Sequence, residues 1–489
     1  MMSSATETKA IDILFIMPNF SYGDLEDIGP RCPPLGIAFI AAYVEQKGYT
    51  VSILDAFGLN YNLDKVRVEI QNQKPKVILV GTMTANHNEG LRIMEAAKAI
   101  DQTIITICGG PHVTNLPEST IMKPYVDYLV INEGEITTHE LLDMVFKKQK
   151  LSPENIKGIV YKENMVMKLT EKRPFIIKLD DIPMPAYHLL PMDSYRAYGW
   201  LDEGRRFTTM ITSRGCPFKC SFCISSKNFM HWWRPRSAEK VFEEILLLYN
   251  KYSIRHIYFQ DDEFLVDHNR IKKLADMIAE HKLDLIWECL SRVNHIDDDL
   301  LRDMIRSGCK SVLYGIETGY EEGFKKINKP ITLEMVERAV RLTQKYGIMV
   351  KVTFIIGFPW ESDKEIKQTI RFAKKLDADI TFINTLNPYP GSYVYQEIID
   401  NNLFVGVGDN WEHHISHGTT PIIRTKHLTD KQLQYWAGRA YLSVYMRPKF
   451  IYRKLRHVRN FKDFKRNVSS GISLMELAVK RIFLSKKEN

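Results

Sequence analysis

Three of the seven cysteines of this 489-residue chain fall within one short stretch. They are Cys216, Cys220 and Cys223, spaced C-x3-C-x2-C, and they follow a strand-like apolar run. Thiolates this close in sequence cannot diverge far in space, so they suit a compact metal centre with soft ligands. A four-iron cluster normally takes four cysteines. With three supplied, one iron keeps an open position at which a substrate or cosubstrate can bind.

An alternative for this stretch is a structural zinc site with a fourth ligand such as His231. Zinc sites usually come as paired C-x2-C or C-x2-C/H-x3-H units, and the sequence has no second pair. The stretch from Ile211 to Cys223, with Phe222 before the last cysteine, resembles the cluster-binding loop of radical S-adenosylmethionine (SAM) enzymes. That resemblance implies a [4Fe–4S] cluster on the three cysteines. Its open iron would chelate SAM, and an electron would cleave SAM to a 5′-deoxyadenosyl radical.

Residues 206–390 alternate strand-like runs with stretches of helical length. Six such repeats predict a partial (β/α)6 barrel, in which functional groups gather at the carboxyl ends of the strands. The predicted strands are Thr208–Ser213, Arg255–Gln260, Leu285–Ser291, Ser311–Glu317, Met349–Gly357 and Ile380–Leu386. The polar groups that follow these strand ends are therefore expected on one face, together with the cysteine loop.

Several strand ends also resemble the SAM-binding positions of radical SAM enzymes. After the second barrel strand, Asp261-Asp262-Glu263-Phe264 is similar to the D-D-x-F form of the cobalamin-binding branch, where acceptors orient the SAM amino group. The resemblance implies that Arg292 pairs with the SAM carboxylate and that Glu317 contacts the ribose. For each of these residues the alternative is a solvated or salt-bridged residue at the rim. The residues assigned to SAM are Phe222, Asp262, Glu263, Arg292, Glu317 and Gly357, the last in a turn expected to back the adenine.

Residues 11–150 predict an α/β fold with a doubly wound parallel sheet, because five apolar strands alternate with amphipathic helices. The predicted strands are Ile11–Met17, Thr50–Asp55, Lys76–Thr82, Thr103–Cys108 and Val126–Ile131. Ligands bind such sheets beyond the carboxyl ends of the strands. The absence of G-x-G-x-x-G after the first strand disfavours a dinucleotide.

The order of the loops resembles a Rossmann-like cobalamin-binding domain, with small hydroxyls after the third strand and Gly-Gly after the fourth. Glycines there would let the backbone approach a bulky ligand. Base-off members carry a cobalt-ligating His in the first loop, where this chain has Glu26. His87 is expected to be a solvated or nucleotide-tail residue instead of a cobalt ligand. The residues assigned to cobalamin are Asn19, Glu26, Thr82, Thr84, Gly109, Gly110, Pro111, His112, Glu133 and Gly134.

A corrinoid domain ahead of such a barrel is similar to the cobalamin-dependent radical SAM enzymes, among them hopanoid and peptide C-methyltransferases and pigment-ring cyclases. The resemblance implies that a 5′-deoxyadenosyl radical activates a C–H bond and that the carbon radical takes methyl from methylcobalamin. One alternative is a non-methylating cyclase or C–C bond-forming enzyme on a lipid or tetrapyrrole. Another is a corrinoid-binding regulator. The implied partners are a low-potential electron donor of the flavodoxin or ferredoxin type and a small-molecule, lipid or peptide substrate.

The composition is that of a soluble globular protein, with 45% hydrophobic and 26% charged residues. Scattered cysteines argue for a reducing compartment. No apolar segment of the signal-peptide type follows the polar start, and no apolar run is long enough to span a bilayer. A cytoplasmic location is therefore expected.

The net charge of +8 is concentrated in the tail, where Met446–Asn489 holds thirteen Lys/Arg and three Asp/Glu. An amphipathic pattern at Ile472–Leu484 suits a helix on an anionic membrane surface. A basic cap on the barrel or a site for an acidic protein partner fits equally, whereas nucleic acid is not expected. The expected domains are 10–150 (cobalamin-binding), 151–205 (connector), 206–400 (barrel) and 401–489 (a helical region with the basic tail). Short strands are expected in the connector at Gly158–Tyr161, Met165–Leu169 and Pro174–Leu179.

Overall fold

A computed structural model describes residues 11–20, 29–147, 151–198, 204–406, 411, 414, 421–456, 479 and 482. The chain divides into two compact units. Unit 1 comprises Met1–Ser21, Arg31–Tyr195 and Asn410–Glu412, and unit 2 comprises Tyr22–Pro30, Arg196–Asp409 and His413–Asn489. Each unit is built around one main sheet.

Unit 1 alternates strands and helices as its apolar pattern predicts. Its strands are β1 (Ile13–Met17), β2 (Val51–Asp55), β3 (Val77–Gly81), β4 (Ile105–Gly109), β5 (Tyr128–Val130), β6 (Ile159–Glu163) and β7 (Val166–Leu169). Its helices are α1 (Leu35–Gln46), α2 (Ala56–Leu59), α3 (Leu63–Gln73), α4 (His87–Ile100), α5 (Pro111–Asn115), α6 (Pro117–Ile121) and α7 (Glu135–Val145).

The sheet of unit 1 has the strand order β2-β1-β3-β4-β5-β6-β7. Strands β1 to β5 are parallel, which confirms the predicted parallel sheet. Their near-continuous apolar sequences fit burial on both faces, and Ile13 to Ile16 are fully buried. The chain passes from β1 to β2 on one side and returns to β3 on the other. That reversal places the ligand-binding crevice at the carboxyl ends of β1 and β3.

The segment expected to be a connector extends this sheet. β6 pairs antiparallel with β5, and β7 pairs antiparallel with β6. Without this hairpin β5 would present an unpaired edge. The third strand expected in the connector, near Pro174–Leu179, does not form, and a 3₁₀ turn at Leu179–Asp181 follows instead. Unit 1 accordingly runs as far as Tyr195.

Unit 2 repeats the strand–helix alternation. Its strands are β8 (Phe207–Met210), β9 (Ser213–Arg214), β10 (Arg234–Pro235), β11 (His256–Phe259), β12 (Ile286–Ser291), β13 (Cys309–Glu317), β14 (Met349–Ile356) and β15 (Ile380–Thr385). Its helices are α8 (Ser225–Asn228), α9 (Ala238–Lys251), α10 (His268–Glu280), α11 (Asp298–Arg306), α12 (Glu321–Lys326), α13 (Leu333–Lys345), α14 (Asp363–Leu376), α15 (Tyr393–Asp400), α16 (Asp430–Tyr445) and α17 (Pro448–Arg456).

The main sheet of unit 2 has six parallel strands in chain order, from β8 through β11, β12, β13 and β14 to β15. This arrangement confirms the partial (β/α)6 barrel. Polar side chains start its helices: Asp267 caps α10, Thr332 caps α13, and Ser362 caps α14 with Glu365 completing a capping box. These caps fix each helix close to the carboxyl end of the preceding strand, where the candidate site lies.

A buried ionic cluster occupies the amino-terminal half of the barrel strands. Glu288 of β12 accepts hydrogen bonds from His256 Nε2 and Lys351 Nζ, each at 2.6 Å, and from the hydroxyl of Ser311. Burial alone would raise the pKa of Glu288, but Lys351 and His256 outweigh it and lower that pKa to about 2. The carboxylate is therefore charged and fully paired at neutral pH.

The start of the basic tail lies on the barrel. The hydroxyl of Tyr445 donates to the backbone oxygen of Thr381 at 2.8 Å, and Arg447 and Lys449 form ion pairs with Asp377 at 3.3 and 3.0 Å. These contacts favour the cap interpretation for this part of the tail. The amphipathic stretch Ile472–Leu484 lies almost entirely outside the described residues. Within the described ranges, no helix is both long and apolar enough to cross a membrane.

Candidate active site

The cysteine loop is held at its base by a two-stranded ribbon. β9 and β10 pair antiparallel on either side of the loop. Gly215 follows β9 with a φ of +82°, and a Cβ there would lie 2.2 Å from the backbone oxygen of Trp232. Both features call for glycine. The ribbon therefore fixes the start of the loop close to the carboxyl end of β8.

The three cysteines are free thiols on this loop, with Cys220 buried and Cys216 and Cys223 half-buried. The backbone N–H of Cys223 donates to the oxygen of Cys220 at 3.2 Å, so the C-x2-C segment is a tight turn. The N–H of Ser221 donates to the oxygen of Ile327 at 2.9 Å, which anchors the turn to the end of α12. Burial raises the pKa of Cys216 to about 12. At neutral pH this thiol therefore keeps its proton until a metal binds the sulfur and displaces that proton into solvent.

Arg292 lies directly against the cysteine loop. Its guanidinium is 3.8 Å from the centre of the Phe218 ring, and its Nη1 donates to the sulfur of Cys220 at 3.4 Å. Its Nε donates to Asn294 at 3.2 Å, whereas Nη2 is buried and has no partner among the described residues. A buried donor left unpaired costs about 1–3 kcal/mol. Nη2 therefore fits an anionic group bound beside the loop.

The carboxylates after β11 have different tasks. Asp261 accepts bonds from the backbone N–H and hydroxyl of Thr212, each at 3.0 Å, and from Ser213. These bonds tie β11 to the segment that precedes the cysteine loop. Burial raises the pKa of Asp261 to about 6, against the opposing effect of Arg270. Asp262 is exposed and accepts a hydrogen bond from Ser225 at the start of α8.

Glu263 presents one bonded and one unbonded oxygen. Its Oε1 accepts from the hydroxyl of Ser291 at 2.6 Å and from the backbone N–H of Arg292 at 3.2 Å. Its Oε2 is buried without a partner in the described part of the chain. Burial raises the pKa of Glu263 to about 7, since the bonds from Ser291 and Arg292 offset only part of that effect. Oε2 therefore fits a cationic donor such as an ammonium group.

Glu317 ends β13 with its backbone in the left-handed region, at a φ of +76°. Its side chain is buried and accepts from Lys329 Nζ at 3.0 Å. Such backbone geometry persists only where the surroundings hold it, and it clusters at functional sites. The carboxylate is thus already neutralised by a buried lysine, so the salt-bridged interpretation describes its present contacts.

Phe222 contacts the aromatic residue that follows Gly357. Gly357 has a φ of +95°, and its N–H donates to Glu361 at 2.6 Å. A Cβ there would meet Leu433 of α16 at 3.3 Å, so the missing side chain makes room for a helix of the same unit. The ring of Phe222 contacts the ring of Phe358 edge-on, with centroids 6.1 Å apart.

Asn387 is a candidate site residue that the sequence analysis did not single out. Both its amide oxygen and its amide nitrogen are buried without a partner among the described residues. It follows β15, at the same edge of the barrel as the cysteine loop. A paired donor and acceptor of this kind suits a polar ligand. Its place at a strand end before Pro388 was the available signal, but burial could not be read from the sequence.

The donors beside the loop fit a cluster that carries a zwitterionic ligand. Within the described ranges, no group of three or more His, Cys, Asp or Glu side chains has the arrangement of a single-ion site. The thiolates of a cluster bind separate irons and need not meet at one point. His231, the fourth ligand of the zinc alternative, instead bonds through Nδ1 to the backbone oxygen of Phe218 at 3.1 Å.

At the carboxyl edge of the unit 1 sheet, two imidazoles form a buried stack. His87 and His112 have ring centroids 3.9 Å apart, and the edge of Trp411 meets His112 at 4.9 Å. His87 lies between Thr82 and Thr120, at 3.3 and 3.0 Å. Burial lowers the pKa of His87 to about 4, so it is neutral. The expectation that His87 is solvated is therefore wrong, because the stack and both threonines enclose it.

The Gly-Gly turn after β4 serves a contact within the protein. Gly110 has a φ of +117°, and a Cβ there would lie 2.3 Å from the backbone oxygen of Thr82. Gly109 ends β4, and its oxygen accepts from the N–H of Thr82 at 2.8 Å. Gly110 therefore lets the loops after β3 and β4 pack together, whereas the sequence suggested that this glycine makes room for a ligand. Pro111 then begins α5, and His112 Nδ1 reaches Thr84 at 3.4 Å.

The other residues assigned to cobalamin lie at the same edge. The amide of Asn19, after β1, donates to the oxygen of Tyr61 at 3.2 Å. The carboxylate of Glu133, after β5, accepts from the N–H of Ile176 at 2.8 Å, and a Cβ on Gly134 would meet Ile40 at 2.6 Å. Both thus serve packing within unit 1. Glu26 lies outside the described residues. The hydroxyl, amide and imidazole groups here suit a large ligand recognised by neutral hydrogen bonds.

Two family models match the chain. The model described as the radical SAM superfamily covers residues 210–373, which include the cysteine loop and strands β11 to β14. The model described as the B12 binding domain covers residues 24–142, which include strands β2 to β5 and the loops between them.

Several known proteins are similar to this chain over most of its length. An uncharacterized methyltransferase of Pyrococcus horikoshii is 35% identical over 91% of this chain and 94% of its own length. The anaerobic magnesium-protoporphyrin IX monomethyl ester cyclase of Rubrivivax gelatinosus is 29% identical over 79% of this chain and 70% of its own. The cobalamin-dependent SAM radical enzyme OxsB, solved with aqua-cobalamin and SAM, has a TM-score of 0.73 at 17% identity, over 96% of this chain and 72% of that one. The likeness to OxsB is one of fold.

Proposed function

Because the chain belongs to the cobalamin-dependent radical SAM methyltransferase family, we propose that this enzyme methylates an unactivated carbon of its substrate. Its cofactors are a [4Fe–4S] cluster, SAM and cobalamin. When bound, the cluster and SAM supply a 5′-deoxyadenosyl radical, and the corrinoid supplies a methyl group.

The observation that carries this proposal is the juxtaposition at the cysteine loop. A loop with three thiols lies beside a carboxylate oxygen, Glu263 Oε2, and a guanidinium nitrogen, Arg292 Nη2. Both atoms are buried and have no hydrogen-bond partner in the described part of the chain. An amino acid head group offers an ammonium and a carboxylate, which are the two complements required. The loop and its neighbours are thus suited to hold an amino acid ligand against a metal centre.

We assign the barrel residues as follows. Cys216, Cys220 and Cys223 would hold the cluster, Glu263 with Asp262 would orient the SAM amino group, and Arg292 would hold its carboxylate. We also propose that Phe222, Glu317 and Gly357 contact SAM. To do so, Glu317 would exchange its contact with Lys329 for the ligand or share it between the two. Burial keeps water from Glu263, Arg292 and Glu317, which strengthens their electrostatic contacts. No residue is assigned as the catalytic acid or base.

We assign cobalamin to the carboxyl edge of the unit 1 sheet. Asn19, Thr82, Thr84 and His112 would contact it, and Gly109, Gly110 and Pro111 would shape the loop that carries these groups. Glu133, Gly134 and, beyond the described residues, Glu26 complete the assigned set. The neutral His87–His112 stack would support the loops from beneath. The proposed functional division is 10–150 for cobalamin, 151–205 for the connector, 206–400 for the barrel and 401–489 for the C-terminal region.

The reaction needs partners that the chain does not contain. We propose a low-potential electron donor of the flavodoxin or ferredoxin type, and a small-molecule, lipid or peptide substrate. We also propose a cytoplasmic location, since its scattered cysteines suit a reducing compartment. Peripheral contact of the basic tail with an anionic membrane is a further proposal. Co-sedimentation with anionic and neutral vesicles tests that contact, and equal recovery with both would contradict it.

Isotope transfer tests the methylation proposal. Reconstituted enzyme would be incubated with extract of a gene-deletion strain and SAM that carries a deuterated methyl group. We expect deuterated methyl in a product that the untreated extract lacks, as mass spectrometry would detect. A product that forms without label would contradict methylation and favour the second candidate, a cyclase or C–C bond-forming enzyme. The similarity to the magnesium-protoporphyrin ester cyclase favours that candidate.

A corrinoid-binding regulator with an idle barrel predicts a different result. Such a protein would bind cobalamin but would not take up four irons per chain on anaerobic reconstitution. We expect iron uptake by the native chain and its loss in Cys220→Ala, with corrinoid binding equal in both. Equal iron content in the two proteins would contradict the assigned cluster site.

A further inference from the structure

The segment that contains the cysteine loop has an excess of positive charge. From Gly215 to Arg236 the sequence has four Lys/Arg and no Asp or Glu. The arginines of this stretch are buried, Arg236 in an ion pair with Glu244, so the exposed charge comes from Lys219 and Lys227. Lys227 Nζ donates to the backbone oxygen of Gly391 at 2.6 Å, which leaves its charge unneutralised.

The last turn of α12 adds a third exposed lysine next to the loop. The side chain of Asn328 donates to the backbone oxygen of Lys219 at 2.9 Å, which places the end of α12 against the loop. Lys326, two residues earlier, is exposed and lies over the Trp360 ring at 5.4 Å. Lys325 beside it is paired with Glu322 at 3.7 Å, so Lys326 contributes the free charge of this turn.

Two large apolar side chains are exposed on the same segment. Met230 is 74% exposed and Trp232 is 44% exposed. Met230 and His231 both have positive φ, at 51° and 58°, which costs energy for residues other than glycine. His231 Nδ1 bonds to the backbone oxygen of Phe218 at 3.1 Å and so holds this turn against the cysteine loop. A strained turn thus presents a methionine to solvent beside the loop, and methionine is favoured at adaptable binding surfaces.

We propose that Lys219, Lys227, Lys326, Met230 and Trp232 form a docking face for the acidic, low-potential electron-transfer protein that reduces this enzyme. The proposal rests on the proposed function, which requires an electron at the cluster. An acidic partner complements the three lysines, and protein–protein interfaces combine apolar side chains such as Met and Trp with charged ones. The reduced flavodoxin or ferredoxin would give up one electron and become oxidised, and the cluster that Cys216, Cys220 and Cys223 would hold would accept that electron. No proton or leaving group is involved.

Binding measurements test the face independently of catalysis. The probes are a recombinant flavodoxin and a two-cluster ferredoxin, titrated anaerobically onto the full-length, reconstituted chain. We expect the double variant Lys219→Glu/Lys326→Glu to bind each probe about tenfold or more weakly than the native chain. Affinity of the native chain should fall as salt is raised, and the variant should show a smaller salt dependence.

A matched control reverses two exposed lysines at the opposite edge of the barrel, Lys282→Glu/Lys345→Glu, which follow α10 and end α13. We expect this control to bind the probes as the native chain does. Dithionite, a small reductant that needs no docking, should drive SAM cleavage equally in all three proteins. Failure of dithionite-driven cleavage in the native chain would contradict the proposed function and leave the binding comparison intact.

Two outcomes would overturn the docking face. One is equal affinity of the double variant and the control for both probes, or no binding of either probe by the native chain. The other is a native dimer, seen by sedimentation, that the double variant alone disrupts while probe binding is unchanged. That result would assign the face to a second copy of the chain.

Discussion

Two buried glutamates of the same barrel, Glu288 and Glu263, differ in what surrounds them. Glu288, in the amino-terminal half of β12, has both oxygens bonded, and its contacts with Lys351 and His256 outweigh burial and lower its pKa to about 2. Glu263, after β11, has one oxygen without a described partner, and burial raises its pKa to about 7. Proteins rarely leave a buried acceptor unpaired, so each such atom calls for an explanation.

This contrast distinguishes Glu288, a carboxylate that stabilises the fold, from Glu263, a carboxylate placed to bind a ligand. Removing one partner of a satisfied ionic cluster leaves a buried charge uncompensated. Removing an unsatisfied carboxylate relieves the fold of a burial penalty and takes away only what a ligand would have used. Replacing glutamate with glutamine should therefore lower stability at Glu288 and lower ligand affinity at Glu263.

The largest expected effect is on stability, at the satisfied cluster. Glu288→Gln should lower the free energy of unfolding by about 3–5 kcal/mol, because Lys351 stays buried without its counter-charge. Urea unfolding at neutral pH measures this change. The double variant Glu288→Gln/Lys351→Met should recover most of the loss, and a loss below about 1 kcal/mol in the single variant would contradict the assignment.

The matching substitution at the rim should act on ligand affinity instead. Glu263→Gln should weaken SAM binding about tenfold to a hundredfold, the effect of losing a charge-assisted hydrogen bond. Its unfolding free energy should stay within about 1 kcal/mol of the native value or rise. Calorimetric titration with SAM and urea unfolding give the two numbers. Unchanged SAM affinity together with a large stability loss would make Glu263 a structural residue like Glu288.

Arg292 offers a smaller and more specific test of the rim. Arg292→Gln should weaken SAM binding about tenfold and should shift the reduction potential of the cluster to a more negative value. The shift is expected because the guanidinium donates to Cys220 and its charge would stabilise the reduced state. A redox titration followed by electron paramagnetic resonance measures it, with Arg292→Lys, which keeps the charge, expected to lie between. An unchanged potential in both variants would contradict this role.

The pH dependence of stability should have a definite sign. The folded-state pKa of Glu288, about 2, lies below its ordinary value, so its contribution is complete above about pH 4.5. That contribution is lost as the pH falls through about 2. The stability difference between the native chain and Glu288→Gln should therefore shrink by up to about 3 kcal/mol on acidification. A difference that stays constant between pH 6 and pH 3 would contradict the lowered pKa.

The architecture could be predicted from the sequence because its signals are local. The six barrel strands are apolar runs separated by helix-length stretches, and the observed strand ends differ from the predicted ones by only a few residues. The cysteine spacing is also a local signal. It does not reveal the contacts that fix the loop, which are the close approach of Gly215 to Trp232 and the hydrogen bond from Ser221 to Ile327.

The contacts that decide individual roles are nonlocal and could not be predicted. Gly110, in the loop after β4, packs against Thr82 in the loop after β3. His87 stacks on His112, which lies 25 residues further along the chain. The sequence of β6 and β7 indicates a short hairpin but does not reveal that β6 pairs with β5 and so joins the hairpin to the sheet. Pairwise contacts of this kind arise only when distant segments fold together.

Anaerobic SAM cleavage tests the central claim most directly, that the three-cysteine loop supports radical chemistry. The reconstituted native chain with dithionite and SAM should form 5′-deoxyadenosine, quantified by liquid chromatography and mass spectrometry. Cys220→Ala should form none while still folding and binding cobalamin. Cleavage that persists in Cys220→Ala, or a native chain that takes up iron yet forms no 5′-deoxyadenosine, would contradict the account.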